Sequence, residues 1–219
     1  MLLELCENGE VDGCLRFWES ERYFVVVGCS NKILTEVNVN ACAAKGIPIL
    51  RRFSGGGAVL QGPGCLNYSL ALRHRSLGIP PDLTASYRFV LGRLADGLAG
   101  RFKDVEIAGI SDLTQSGRKF SGNAQHRKRF SSLFHGTILY GFDLRLVEDY
   151  LRMPSKQPAY RQGRSHEAFL CNLSLAAKDI RYSIKRAWGA EEELRMIPLN
   201  RVKMLVDERY GRAEWNFKF

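Results

Sequence analysis

Arg51-Arg52-Phe53-Ser54-Gly55-Gly56-Gly57-Ala58-Val59 is the stretch on which the reading of this chain turns. Glycine lacks a Cβ and tolerates positive φ, so three in a row let backbone N–H groups come closer to a ligand than a run bearing side chains could. The two arginines ahead of them supply permanently charged planar forks suited to phosphate or carboxylate. A plain glycine-rich turn between two strands would look the same in isolation. Its surroundings decide between the two.

Toward the N-terminus, residues 23–27 (YFVVV) form a β-branched and aromatic run ended by Gly28, as a buried strand would be. Residues 36–45 (EVNVNACAAK) read as a helix stopped by Gly46, and residues 47–50 lead by an extended segment into the arginine pair. Residues 1–6 look like the tail of a helix. Toward the C-terminus, residues 66–72 (LNYSLAL) alternate as a strand. Residues 84–98 put Tyr87, Val90, Leu91, Leu94 and Leu98 on one helix face, with Thr84 able to cap it. Residues 105–107, 112–114, 119–121 and 133–139 are expected as strands, with a hairpin turn at 115–118. Residues 144–151 and 173–188 read as helices. No internal repeat or long linker interrupts this order. The pattern predicts one α+β domain over residues 1–219, a mixed and largely antiparallel sheet flanked by helices.

Composition narrows the class. With 219 residues, 45% hydrophobic and 25% charged, the chain is long enough to bury a sizeable core. No apolar run approaches the ~20 residues that span a bilayer, and the N-terminus lacks a secretory pattern, so a cytoplasmic protein without a membrane partner is the expectation. The cysteines at 6, 14, 29, 42, 65 and 171 form neither a Cys-x-x-Cys nor a histidine pairing at ligand spacing. Reduced thiols, with no protein-held metal, are expected. A net charge of +9 favours an acidic partner. No nucleic-acid-binding motif accompanies it, which leaves an anionic substrate or an acidic carrier protein.

A second feature is Gly117-Arg118-Lys119-Phe120-Ser121-Gly122-Asn123-Ala124-Gln125, followed by His135-Gly136-Thr137-Ile138-Leu139. A lysine in a strand, followed by small polar residues, can point its ammonium into a pocket that the strand holds rigid. An edge-strand lysine in solvent is the commoner fate of any one lysine.

In this order and spacing the two features resemble the lipoate-protein ligase A family, within the group that shares the biotin/lipoate-protein ligase catalytic-domain fold, a class II synthetase-like fold. The resemblance runs from Leu15-Arg16-Phe17-Trp18-Glu19 through Val27-Gly28, Glu36-Val37-Asn38, Gly46-Ile47-Pro48, the glycine loop, Asp112, the lysine strand and the HGTIL strand to residues 210–217 (YGRAEWNF). It implies activation of lipoate or octanoate with ATP and Mg2+ to an acyl-adenylate, then transfer to a lysine of a lipoyl carrier domain or a glycine-cleavage H-like protein. By the same resemblance Lys119 is the catalytic cation. Arg52 and Ser54 face the phosphates and acyl-phosphate linkage, and Gly55, Gly56, Gly57 and Ala58 line the acyl tunnel. Trp18 covers the acyl tail, Asp112 lies beside the adenylate, and His135 and Gly136 stand on a strand lining it.

The chain departs from many family members in reading Gln61-Gly62-Pro63-Gly64-Cys65 where they carry His-Asp after the loop. The resemblance also implies more of the first helix ahead of Met1, and an accessory domain, or a separate accessory subunit, after the catalytic one. The alternative is an ATP-independent octanoyl or lipoyl transferase, which needs a cysteine nucleophile because a thioester donor passes through an acyl-enzyme. Residues 108–112 (AGISD) hold no thiol ahead of the lysine, which leaves Cys171 and Cys65 as candidates. A non-catalytic acyl-binding or carrier-binding relative and a biotin ligase complete the alternatives.

Overall fold

Among the residues that the computed structural model describes (1–100, 103–194 and 197–219), nine strands build two sheets. In chain order the elements are α1 (Leu2–Asn8), β1 (Gly13–Trp18), β2 (Phe24–Val27), α2 (Ile33–Glu36), α3 (Val39–Ala44), β3 (Ile49–Arg51), β4 (Val59–Gln61) and β5 (Cys65–Arg73). There follow α4 (His74–Leu77), α5 (Leu83–Ala99), β6 (Val105–Ala108), β7 (Asp112–Gln115), β8 (Arg118–Arg127), β9 (Ser131–Leu139) and α6 (Leu146–Tyr150). The chain ends with α7 (His166–Phe169), α8 (Ala177–Trp188), α9 (Leu199–Leu205) and α10 (Ala213–Asn216). The six-stranded sheet, ordered β1-β5-β9-β8-β7-β6, is antiparallel throughout. The three-stranded sheet, β3-β2-β4, has one parallel pair, β2 with β3, joined by α2 and α3.

Two apolar cores follow from the two faces of the large sheet. On one, Leu66, Tyr68, Leu70, Phe134 and Ile138 pack against Tyr87, Val90, Leu91, Leu94 and Leu98 of α5 and Ile180 and Ile184 of α8. On the other, Cys65 and Leu139 meet Val25 and Val27 of β2, Cys42 of α3 and Val147 and Tyr150 of α6. The mixed α+β architecture and the apolar stripe of α5 are as expected. No described helix is long and apolar enough to cross a membrane.

Several elements differ from expectation. Residues 36–45 are not one helix. Val37 is extended and pairs with Leu151, and Asn38 starts a new helix by accepting from the Ala41 N–H at 3.4 Å. The cap of α5 is Asp82, which accepts from the Ala85 N–H at 2.7 Å and lies two residues before Thr84. The last long helix begins at Ala177 because Leu173 donates its N–H to Leu139 and lies buried against the sheet. The expected strand at 119–121 extends over ten residues as β8. The turn before it has Ser116 at φ 49° and Gly117 at φ 71°, both left-handed, the form that suits a two-residue hairpin loop.

Candidate active site

The face of the large sheet away from α5 and α8 carries the polar residues of interest, and its register lines them up. Trp18 of β1 stands opposite Asn67, Asn67 opposite Thr137, Thr137 opposite Gly122, and Gly122 opposite Asp112. At ~4.8 Å per strand this row spans roughly 19 Å, with small side chains between its two ends. A parallel row, two residues along, pairs Arg16 with Ser69, Ser69 with His135, and His135 with Ala124.

At one end of the first row, the Lys119 ammonium lies 2.8 Å from Asp112 Oδ1. The register of β7 and β8 slips between Leu113 and Thr114, so that Thr114 opposes Lys119 while Leu113 opposes Ser121. Phe120 is the extra residue of this bulge and is fully buried in the helix-packed core. The bulge thereby keeps Lys119 on the Asp112 side. Gly122 completes the arrangement, since a Cβ there would stand 2.9 Å from Lys119 Cε and Nζ. Asp112 is buried, and its second oxygen, Oδ2, accepts from the Tyr160 hydroxyl at 2.7 Å.

The glycine loop sits over the second row. Ser54, buried, shares a 2.6 Å hydrogen bond with His135 Nε2, and Phe53 meets His126 edge-on with ring centroids 4.5 Å apart. The Arg52 guanidinium turns back into the loop, donating to the carbonyls of Gly55 at 2.8 and 3.2 Å, Gly57 at 2.8 Å and Val26 at 3.3 Å. Burial pulls it down to about 10, still charged at neutral pH. Gly56, at φ 91°, brings its carbonyl so close to Gly28 that a Cβ on Gly28 would collide with it. At Gly55 and Gly57 a Cβ would meet open space. Ala58 is half-buried and packs against the second core.

The adjacent arginine behaves differently. Arg51 is buried and its guanidinium donates to the carbonyls of Gly28 (2.8 Å), Asn31 (2.8 Å), Cys29 (3.4 Å) and Asn216 (3.2 Å). Its backbone N–H donates to Asn216 Oδ1 at 2.8 Å and its carbonyl accepts from Trp215 Nε1 at 2.8 Å. Arg51 is thus a clasp between the C-terminal segment and the turn beneath the loop. Only Arg52 belongs to the loop's working side.

Trp18, at the far end of the first row, is half-buried and stacks on Phe24 at 6.4 Å, with the Arg16 guanidinium 5.9 Å from its ring. Gly136 faces the other way. A Cβ there would collide with the side-chain amide of Asn123, whose Oδ1 accepts from Tyr68 at 2.7 Å and whose Nδ2 donates to the Ser111 carbonyl at 2.8 Å. Asn123 thereby pins the turn that delivers Asp112. The structure thus brings Lys119, Asp112, Ser54, His135, Arg52 and Trp18 to one face and leaves Gly136 beneath it. Tyr160 and the inward role of Arg51 were missed. Tyr160 lies in an irregular segment with no periodic signal, whereas Arg51 shares strand parity with buried Ile49, a signal that could have been used.

The two candidate cysteines, Cys171 and Cys65, are not poised for attack. Cys171 packs against the helix-side core and its thiol donates to the Arg118 carbonyl at 3.4 Å, with burial pushing its pKa up. Cys65 is buried, bonded to Gln61 Oε1 at 3.4 Å, and pushed up to about 12. A reactive thiol needs the opposite shift.

Burial, then the charge of Arg52 and of His126, pulls His135 down to about 4. From pH ~6.5 down to ~4 the unfolded chain takes up a proton that the folded ring refuses, so stability falls across that window. The loss expected between pH 7.5 and pH 4.5 is about 2–3 kcal/mol. Urea midpoints at the two pH values, compared between the protein and His135→Gln, which keeps a partner for Ser54, measure it, because burial also lowers His74, His126 and His166 and their share of the loss remains in the variant.

The family described as "Lipoyl protein ligase A/B catalytic domain" matches residues 1–185. Octanoyltransferase LipM of Brevibacillus brevis is 25% identical over 253 residues, covering 99% of this chain and 91% of that protein. The bi-partite lipoate protein ligase of Thermoplasma acidophilum, solved in a study with its E2 lipoyl domain, superposes with a TM-score of 0.80 at 21% identity, over 94% of this chain and 84% of its own. A lipoate-protein ligase A bound with ATP gives a TM-score of 0.79 at 21% identity, over 98% and 90%. Against three curated ligase relatives the chain spans 65%, 40% and 61% of their length.

Proposed function

The chain belongs to the lipoyl protein ligase A/B catalytic domain family, and from that premise we propose that it is a lipoate-protein ligase acting as one catalytic domain in the cytoplasm. In this reading a lipoate or octanoate carboxylate attacks the α-phosphate of Mg-ATP, and pyrophosphate leaves. The amine of a carrier lysine then attacks the acyl carbonyl, and AMP leaves. Charge grows on the α-phosphate in the first step and on the carbonyl oxygen in the second. A preorganised cation beside both is the effective device in a site with little water. Lys119 fills that role, steered by Asp112. Arg52 and Ser54 face the acyl-phosphate linkage, with His135 holding Ser54, while residues 55–58 line the acyl tunnel and Trp18 covers the acyl tail.

The observation that carries the reading is the in-register row from Trp18 to Asp112. It separates an aromatic end, fit for an apolar tail, from a cationic end fit for the reacting carboxylate, with small residues between. ATP as substrate is supported by the ATP-bound ligase of the same fold, and a lipoyl carrier partner, with a separate accessory subunit, by the bi-partite ligase and its E2 lipoyl domain.

A second reading, octanoyl transfer between carriers without ATP, is favoured by the LipM relative, 91% of whose length this chain covers. Against it stand the raised thiols of Cys171 and Cys65. Pyrophosphate release from Mg-ATP in the presence of octanoate, with no carrier added, separates the two. The ligase reading expects release that depends on both substrates. Acyl transfer from an octanoyl-carrier with no pyrophosphate under any feed would replace it with the transferase reading.

A further inference from the structure

We propose that Tyr160 is a positioning residue for the reaction, fixing through Asp112 the direction in which Lys119 presents its ammonium. The inference rests on the reading of Lys119 as the cation beside the reacting carbonyl. A carboxylate flanked by one ammonium can rotate about its Cβ–Cγ bond and offer either oxygen, and a lysine on a flexible stem follows it. Here the two oxygens are allotted: Oδ1 takes Lys119 at 2.8 Å and Oδ2 takes the Tyr160 hydroxyl at 2.7 Å. Charge-assisted bonds of this length are the strong class. Asp112 is buried, so water offers little substitute.

Tyr160 is itself held. Its ring packs on Phe169 with centroids 5.2 Å apart, and its carbonyl accepts from Arg164 Nη2 at 2.8 Å. Arg164 in turn donates to the Gly117 carbonyl at 3.2 Å, in the turn just before Lys119. Gly109, at φ 59°, lies alongside, where even an added Cβ would stand 3.6 Å from the Tyr160 ring, in ordinary van der Waals contact. Burial and the Asp112 charge raise the Tyr160 pKa, so it stays a proton donor throughout the working range. The turn carrying Tyr160 therefore braces Asp112 from the side opposite Lys119.

Tyr160→Phe keeps the ring and its packing and removes only the hydroxyl. It is expected to lower kcat for carrier acylation about tenfold, with KM for octanoate within twofold and the thermal midpoint lowered by a few degrees, since the buried carboxylate loses one donor. In an Asp112→Asn background, followed in single turnover by intact mass, the same change is expected to cost less than twofold, because the hydroxyl acts through the carboxylate. Full activity of Tyr160→Phe, or an undiminished tenfold loss in the Asp112→Asn background, would overturn the proposal. Lys119→Ala run alongside keeps the two levels apart. If that variant is inactive while Tyr160→Phe is unaffected, only the role of Tyr160 fails. If Lys119→Ala retains full activity, the reading of the site fails with it.

Discussion

Lys119→Ala is expected to lower acyl transfer to a carrier lysine by about 10²–10³, the usual cost of deleting one preorganised electrostatic contact at a developing charge. The loss should appear in kcat, because the charge that the ammonium meets exists only in the transition state. Stability should fall by about 1–3 kcal/mol and no more, because the buried Asp112 carboxylate loses its counter-ion. Lys119 is partly exposed and its aliphatic stem lies over Gly122, so the deletion leaves no core cavity, and Asp112 keeps its bond from Tyr160. Lys119→Arg should not restore the rate, since a planar guanidinium cannot occupy the narrow space above Gly122 with the same direction. Single-turnover acylation followed by mass, with a thermal melt of each variant, measures both parts. An unchanged rate for Lys119→Ala would remove this lysine from the chemistry.

Arg51→Met carries the second large effect, and it falls on stability instead. Truncating the fork strands four carbonyls, those of Gly28, Cys29, Asn31 and Asn216, that the guanidinium now serves in a buried setting. Hydrogen bonds to a charged donor contribute about 1.5–3 kcal/mol each, partly recovered where water can enter, so a net loss of about 3–5 kcal/mol is expected. That corresponds to a fall in melting temperature of about 10 °C for a chain of this size. Arg52→Met, one residue along, should behave in the opposite way. It releases the carbonyls of Gly55 and Gly57 in an exposed loop and one part-buried carbonyl, that of Val26, so its melt should move by clearly less than that of Arg51→Met while acyl transfer drops. A large stability loss for Arg52→Met with none for Arg51→Met would reverse the assignment of the pair.

That contrast shows where sequence reading stops. The strands at 23–27 and 66–72 and the apolar face of α5 were legible because burial on one face imposes a period that survives in the residues themselves. The glycine loop and Lys119 were legible because rare residue types stood in a specific order. β1 was not assigned, since its half-exposed edge position blurs the alternation of CLRFW. The Asp112–Lys119 pairing depends on a bulge that nothing in the residues of β8 announces. Long-range clasps are harder still. Asn216 meets Arg51 across 165 positions, and Tyr160 meets Asp112 across 48, both from segments without periodicity. Such contacts are fixed by how the two cores stack.

In the proposed reading the row from Trp18 to Asp112, with Lys119 beside its end, holds an acyl group for delivery to a carrier lysine. The most direct test of that reading is the intact mass of an apo lipoyl carrier domain after incubation with this protein, octanoate and Mg-ATP. The predicted result is one octanoyl group on a single carrier lysine, absent when ATP is withheld. An unmodified carrier under that feed, and equally under octanoyl-carrier without ATP, would contradict it.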